Sequence, residues 1–107
     1  MGSATDDAAQ REGITAATEL LRALASENRL AIVHELTEGT RCVHELVEAL
    51  GVSQSLVSQH LRVLRGAHVV RSERRGRELA YSLADEHIGQ IVADTIAHAT
   101  ESTRSTP

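Results

Sequence analysis

The sequence contains no Phe, no Trp and no Lys, and only one Tyr (Tyr81), one Cys (Cys42) and one Pro. With so little aromatic bulk, the core has to be assembled from Leu, Val, Ile and Ala, which suits packed helices better than a β-sandwich. A single cysteine closes no internal disulfide, so nothing favours an oxidising compartment. No apolar run approaches the roughly 20 residues of a bilayer-spanning helix, which excludes an integral membrane protein. The first residues, Met1-Gly2-Ser3-Ala4-Thr5-Asp6, have neither a signal-peptide core nor the Ser or Thr at position 6 that myristoylation requires. A cytoplasmic location is expected. What remains is 107 residues, 41% hydrophobic and 24% charged, enough for one soluble domain with one core.

The formal net charge of −4 argues against nucleic acid, but its distribution argues for it. All 11 basic residues are Arg, and six of them (Arg62, Arg65, Arg71, Arg74, Arg75 and Arg77) fall between positions 62 and 77. Only Glu73 and Glu78 stand close by, so this stretch is cationic within an otherwise acidic chain. Guanidinium groups make forked hydrogen bonds to phosphate and to guanine, so a local cluster outweighs the average. From charge alone, a solvated charged face is the better explanation of the cluster.

Periodicity organises the rest. Residues 1–12 are small, polar and acidic and read as a disordered arm, and residues 102–107 as a flexible tail. Between them, residues 13–101 form one domain. Ile14, Ala17, Leu20, Leu21 and Leu24 share a helical face. A second helix carries Leu30, Ile32, Val33 and Leu36, with capping residues from Ser26 and a stop at Gly39. Val43, Leu46, Val47 and Leu50 make a third, ended by Gly51. Ser53 caps a fourth, which runs through Leu56, Val57, Leu61 and Leu64 to Gly66. Val69-Val70-Arg71, a turn at Arg75-Gly76, and alternating Leu79, Tyr81 and Leu83 predict a β-hairpin. Asp85 caps a last helix with the stripe Ile88, Ile91, Val92, Ile96. The predicted fold is mainly α with a β-hairpin wing, in the order α-α-α-α-β-β-α.

The third and fourth helices, joined by Gly51-Val52-Ser53, have the pattern of a helix-turn-helix. At 100° per residue, Val57, Leu61 and Leu64 face the core. Ser55, Ser58, Gln59 and Arg62 lie opposite, with Ser53 and Gln54 at the leading end. Short hydroxyls, amides and guanidinium groups are those that bond base edges and phosphates in a major groove. Any surface helix has a polar face; what distinguishes this one is the hairpin behind it, with Arg74, Arg75 and Arg77 at its tip to meet the flanking backbone.

The last helix carries a second pattern, Asp85-Glu86-His87 and, further on, His98-Ala99-Thr100-Glu101. Imidazoles and carboxylates are ligands for zinc and neighbouring metals. His87 and His98 share an azimuth to about 20° but are separated by roughly 16 Å along the axis, far beyond a shared ion. Two antiparallel copies of the helix bring Asp85 and His87 of one chain to His98 and Glu101 of the other, giving two equivalent four-ligand sites in a symmetric dimer. Asp94, one turn before His98, is an alternative, either orienting that imidazole or replacing Glu101. Cys42-Val43-His44 is a further pair of potential ligands, too few to complete a tetrahedron. His34, His60 and His68 stand alone and are assigned no role as ligands.

Taken together, these motifs resemble the ArsR/SmtB family of winged-helix metal-sensing repressors over about residues 14–101. The resemblance is carried by Leu24-Ala25-Ser26-Glu27-Asn28-Arg29-Leu30, by Val52-Ser53-Gln54-Ser55-Leu56-Val57-Ser58-Gln59-His60-Leu61, by Arg75-Gly76-Arg77 with Tyr81-Ser82-Leu83, and by Asp-x-His…His-x-x-Glu. It implies a homodimer on double-stranded operator DNA, with Zn2+ as inducer held by Asp85, His87, His98 and Glu101. It also implies that His98 donates its second ring proton to the backbone near His68, coupling metal to DNA. The family's Cys-x-Cys site in the third helix is broken here, since His44 replaces the second cysteine; Cys42 and His44 read as a vestigial metal site. Co2+ or Ni2+ as inducer, and a DNA-binding protein with no metal response, are the alternatives. No membrane and no small organic substrate is expected, and no enzymatic activity, since four protein ligands between two helices leave neither an open coordination position nor a nearby general base.

Overall fold

The computed structural model describes residues 4–104, ordered as α1 (Ala4–Leu24), α2 (Glu27–Leu36), β1 (Arg41–Cys42), α3 (Val43–Leu50), α4 (Gln54–Gly66), β2 (Val70–Arg75), β3 (Glu78–Leu83) and α5 (Glu86–Arg104). The caps follow from side-chain chemistry. Ser26 adopts an extended backbone and its hydroxyl accepts from the Arg29 amide, closing the first turn of α2. Asp85 does the same for α5, where Oδ1 accepts from the Ile88 amide at 3.2 Å.

Helix α1 starts earlier than the amphipathic stripe. Residues 4–12, expected as a disordered arm, are its first turns, and their side chains, where described, are exposed. Packing therefore does not hold them helical. Ala, Gln, Arg and Glu have high helix propensity, and Asp6 and Asp7 in the first turn complement the helix dipole. At the other end α5 takes in residues 102–104 of the expected tail, with Thr103 Oγ1 donating to the Ala99 carbonyl and Arg104 in the last turn. Residues 1–3 of the arm and 105–107 of the tail lie outside the described residues.

One strand was not anticipated. Arg41 and Cys42 form an edge strand antiparallel to β3, with Arg41 opposite Tyr81 and Cys42 opposite Ala80, so the sheet has the order β1-β3-β2. Two residues carry no alternation to read. The middle position of β3 also alters its pattern. Strand β3 meets α2, α3 and α5; Ala80 and Tyr81 are both buried, while Leu79 and Leu83 are only half-buried. The β2–β3 register runs from Val70 opposite Leu83 to Arg75 opposite Glu78. That leaves a two-residue turn, Gly76-Arg77, with Gly76 at φ 64°, where glycine in the first central position suits the twist of a hairpin.

The core is aliphatic, as the composition requires. Ile32, Val33, Leu46, Val57 and Leu64 are fully buried and Leu61 nearly so, around the junction of α2, α3 and α4. Truncating one of these leucines to Ala costs about 2–5 kcal/mol, the usual range for such a cavity. The core thus locks α4 by one face and leaves the other for partners.

Candidate nucleic-acid interface and metal-binding positions

Between α3 and α4 the chain reverses at Gly51, whose left-handed backbone (φ 70°, ψ 26°) returns its amide to the Val47 carbonyl. A Cβ there would meet nothing within 4 Å, so conformation, not space, calls for glycine. Ser53 then caps α4, its hydroxyl oxygen accepting from the Leu56 amide at 3.1 Å. On α4, Gln54, Ser55, Gln59 and Arg62 are exposed and Ser58 half-buried. Ser53 is exposed too, but one lone pair is committed to its cap. The polar face anticipated for α4 is therefore present.

The wing arginines are exposed, and they are not equivalent. Arg75 is forked onto Glu73, with Nη2 at 3.1 Å and Nε at 3.3 Å from one carboxylate oxygen. Arg74 and Arg77 have no such partner among the described residues. Arg71 donates to the Ala84 carbonyl at 3.0 Å and helps to close the hairpin root.

The wing is tied to α3 through residues that sequence patterns left unconnected. His44 Nδ1 lies 2.7 Å from Glu78 Oε1. This bond, with the charge of Glu78, raises the imidazole above its ordinary value. Cys42, the N-cap of α3, lies against the same carboxylate. Partial burial, then Glu78 and Glu45, raise its thiol, which keeps it protonated and poorly nucleophilic at neutral pH. Cys42 and His44 thus share Glu78 as a neighbour, and His44 serves as a wing anchor.

The metal-ligand candidates sit at the two ends of α5. His87, with a side chain 91% exposed, has Nδ1 3.7 Å from Asp85 Oδ1. That oxygen is engaged as the helix cap, leaving Asp85 Oδ2 for another partner. His98 and Glu101 are exposed on the last turns. Among the described residues no three His, Cys, Asp or Glu side chains of one chain converge on a metal position. Asp94 does not orient His98 in this chain; its Oδ1 accepts from Gln90 Nε2 at 2.8 Å, one turn earlier, the favourable i, i+4 pairing.

His68 lies where α4 ends. Its φ is 60°, the one positive value among the described non-glycine residues. His68 N bonds the Arg65 carbonyl and Val69 N the Leu64 carbonyl, the two bonds of a Schellman motif, with histidine in the place that glycine usually takes. A cleft of about 490 Å3 opens beside it, lined by His68, Asp85 and His87 and also by Glu19 from α1. On the outer side of α1 and α5, Ile14, Leu21 and Ile91 are 60%, 55% and 41% exposed. Sequence reading missed Glu19, Glu78 and a contact between Arg29 and His60; each joins segments distant in the chain, and no local periodicity signals that.

Residues 26–72 match the family model described as "Bacterial regulatory protein, arsR family". Over 91 residues the chain is 60% identical to the HTH-type transcriptional repressor SmtB of Mycobacterium tuberculosis, covering 85% of this chain and 67% of that one. It is 44% identical over 79 residues to the transcriptional regulator NmtR of the same species, covering 74% and 66%. The fold is similar to a homodimeric winged helix-turn-helix DNA-binding domain from Mycobacterium bovis, with a TM-score of 0.81 and 26% identity over 98% of this chain and 94% of that one. These relatives are transcriptional regulators and not enzymes, and their winged-helix architecture is the one described above. The chain belongs to the arsR family of bacterial regulatory proteins.

Proposed function

We propose that this regulator is a zinc-responsive repressor that binds operator DNA as a homodimer in the cytoplasm and leaves it when zinc binds. In this reading α4 enters the major groove with Gln54, Ser55, Ser58, Gln59 and Arg62, Ser53 holds its first turn, and Arg74, Arg75 and Arg77 meet the flanking phosphates. The exposed stripe of Ile14, Leu21 and Ile91 is the surface that a second copy covers. Among the described residues no helix is long and apolar enough to cross a membrane.

The observation that carries the reading is the shared cleft of His68, Asp85 and His87. It puts two candidate ligands next to the turn that ends the DNA-reading helix. The donor set fits zinc: two imidazoles and two carboxylates, with His87 accessible and Asp85 Oδ2 uncommitted. Asp85 and His87 of one protomer would hold the ion with His98 and Glu101 of the other. When bound, zinc supplies the bond that joins the two α5 helices. His98 then offers its second ring N–H to the backbone at His68, biasing the dimer against the conformation that fits DNA. By linkage, metal and DNA weaken each other's binding by one factor, commonly about 1–3 kcal/mol.

Subunit mixing tests the shared site. H87A and H98A homodimers each lose both sites. The mixed dimer keeps one intact site, because wild-type Asp85 and His87 of the H98A chain face wild-type His98 and Glu101 of the H87A chain. One tight zinc per mixed dimer is expected. None in the mixed dimer, or undiminished binding by either homodimer, contradicts the assignment.

A further inference from the structure

Arginine has no acceptor atom, so a ring nitrogen in contact with it must offer a lone pair. Arg29, in the first turn of α2, ties three elements together. Its Nε donates to the Ala23 carbonyl, in the last turn of α1 where carbonyls lack partners within their own helix. Its Nη1 lies 3.2 Å from Nδ1 of His60 on α4. Both side chains are half-buried. His60 is next in the chain to Gln59, which the proposed function places in the groove.

We infer that Arg29 is a positioning residue for the DNA-reading helix, and that it holds α4 through His60 only while that imidazole is neutral. The inference rests on the reading of α4 as the groove-entering helix. The clamp needs the tautomer with the proton on Nε2 and the lone pair on Nδ1. A second proton would go onto Nδ1, remove the acceptor and set an imidazolium 3.2 Å from a guanidinium. Among the described residues no carboxylate is set against His60 to relieve that repulsion: the charge acting on it is that of Arg29 of α2, and α1 presents its Ala23 carbonyl to Arg29.

Burial, and then Arg29, hold His60 below its ordinary value, so the clamp is closed at neutral pH. The sign follows from linkage. A histidine depressed in the clamped state disfavours that state as pH falls below the unperturbed value of about 6.5. Operator affinity therefore acquires an acid-side loss of at most about tenfold per pH unit, the limit for one proton.

The test compares metal-free wild type, H60Q and R29Q on the chain's own upstream DNA. Fluorescence anisotropy from pH 8 to 5.5 in chelator gives each profile, normalised to that protein's own affinity at pH 8, and circular dichroism checks folding. Gln at position 60 offers a carbonyl acceptor that does not titrate. The other histidines are common to all three proteins, so their effects cancel in the ratio. Wild type is expected to lose affinity several-fold relative to H60Q below about pH 6.5, and R29Q to bind more weakly at pH 8 with a profile parallel to H60Q. Parallel profiles for wild type and H60Q overturn the clamp while leaving DNA binding intact, and they decide the matter even if R29Q does not fold. No binding by the folded wild type at any pH overturns the DNA-reading function and the clamp's part in it together.

Discussion

His68, at φ 60° in the turn that ends α4, and His87, in the first turn of α5, line the same cleft. The end of α5 that carries two of the proposed ligands is thereby next to the backbone that ends α4, the helix proposed to read DNA. A turn held in a left-handed conformation by a non-glycine residue costs about 1–2 kcal/mol, so a modest bias there is enough to shift it.

Coupling and binding should separate at His98. In the proposed function its imidazole does two things, holding metal through one nitrogen and donating through the other. H98D keeps an oxygen ligand but has no second N–H to give. Zinc affinity is expected to fall, because a carboxylate oxygen replaces an imidazole nitrogen, yet saturating zinc should no longer release DNA. Calorimetry with zinc and anisotropy with operator measure the two separately, and release that survives in H98D excludes the His98 route.

The wing predicts an unequal series. Replacing Arg62, Arg74 or Arg77 by Ala should reduce the slope of log K against log salt by about one unit each if each neutralises one phosphate. Arg75 is held by Glu73, so R75A should cost less than R74A, and E73Q should raise affinity by freeing a guanidinium and removing a negative charge. Salt titrations of binding decide this; an R75A effect equal to that of R74A would contradict it.

The anchor between His44 and Glu78 has a pH signature. Glu78 raises the imidazole, so the pair's contribution is fully present below about pH 6.5 and is lost as pH rises through the elevated folded-state value. In E78Q the His44 titration, followed by NMR, should move down, and amide protection at the Arg75–Glu78 end of the hairpin should lose its pH dependence. An unchanged His44 titration rules out the anchor.

Gly51 offers a stability test with little steric ambiguity. G51A places a methyl in open space but forces alanine to φ 70°, and should cost about 1–2 kcal/mol in denaturant unfolding. A cost near zero would mean that the turn tolerates another conformation.

Much of this was legible from sequence because it is periodic. Val57, Leu61 and Leu64 recur at helical spacing, and Gly51, Ser53 and Asp85 announce turns and caps by their chemistry. Residues 4–12 were misread because small, acidic composition resembles that of a disordered arm, while helix propensity needs no apolar stripe. The strand at Arg41–Cys42 was too short to carry a pattern. Asp94 was paired with His98 by spacing, and Gln90 was an equally near neighbour on the other side. The contacts from Arg29 to His60 and from His44 to Glu78 span 31 and 34 residues, so only the folded chain brings them together.

The most direct test of the account titrates zinc, cobalt and nickel separately into the protein bound to its own upstream DNA, with anisotropy as the readout. The account predicts release by zinc, complete at two ions per dimer. DNA binding that no metal disturbs would contradict it, and would leave Asp85, His87, His98 and Glu101 as a surface pattern.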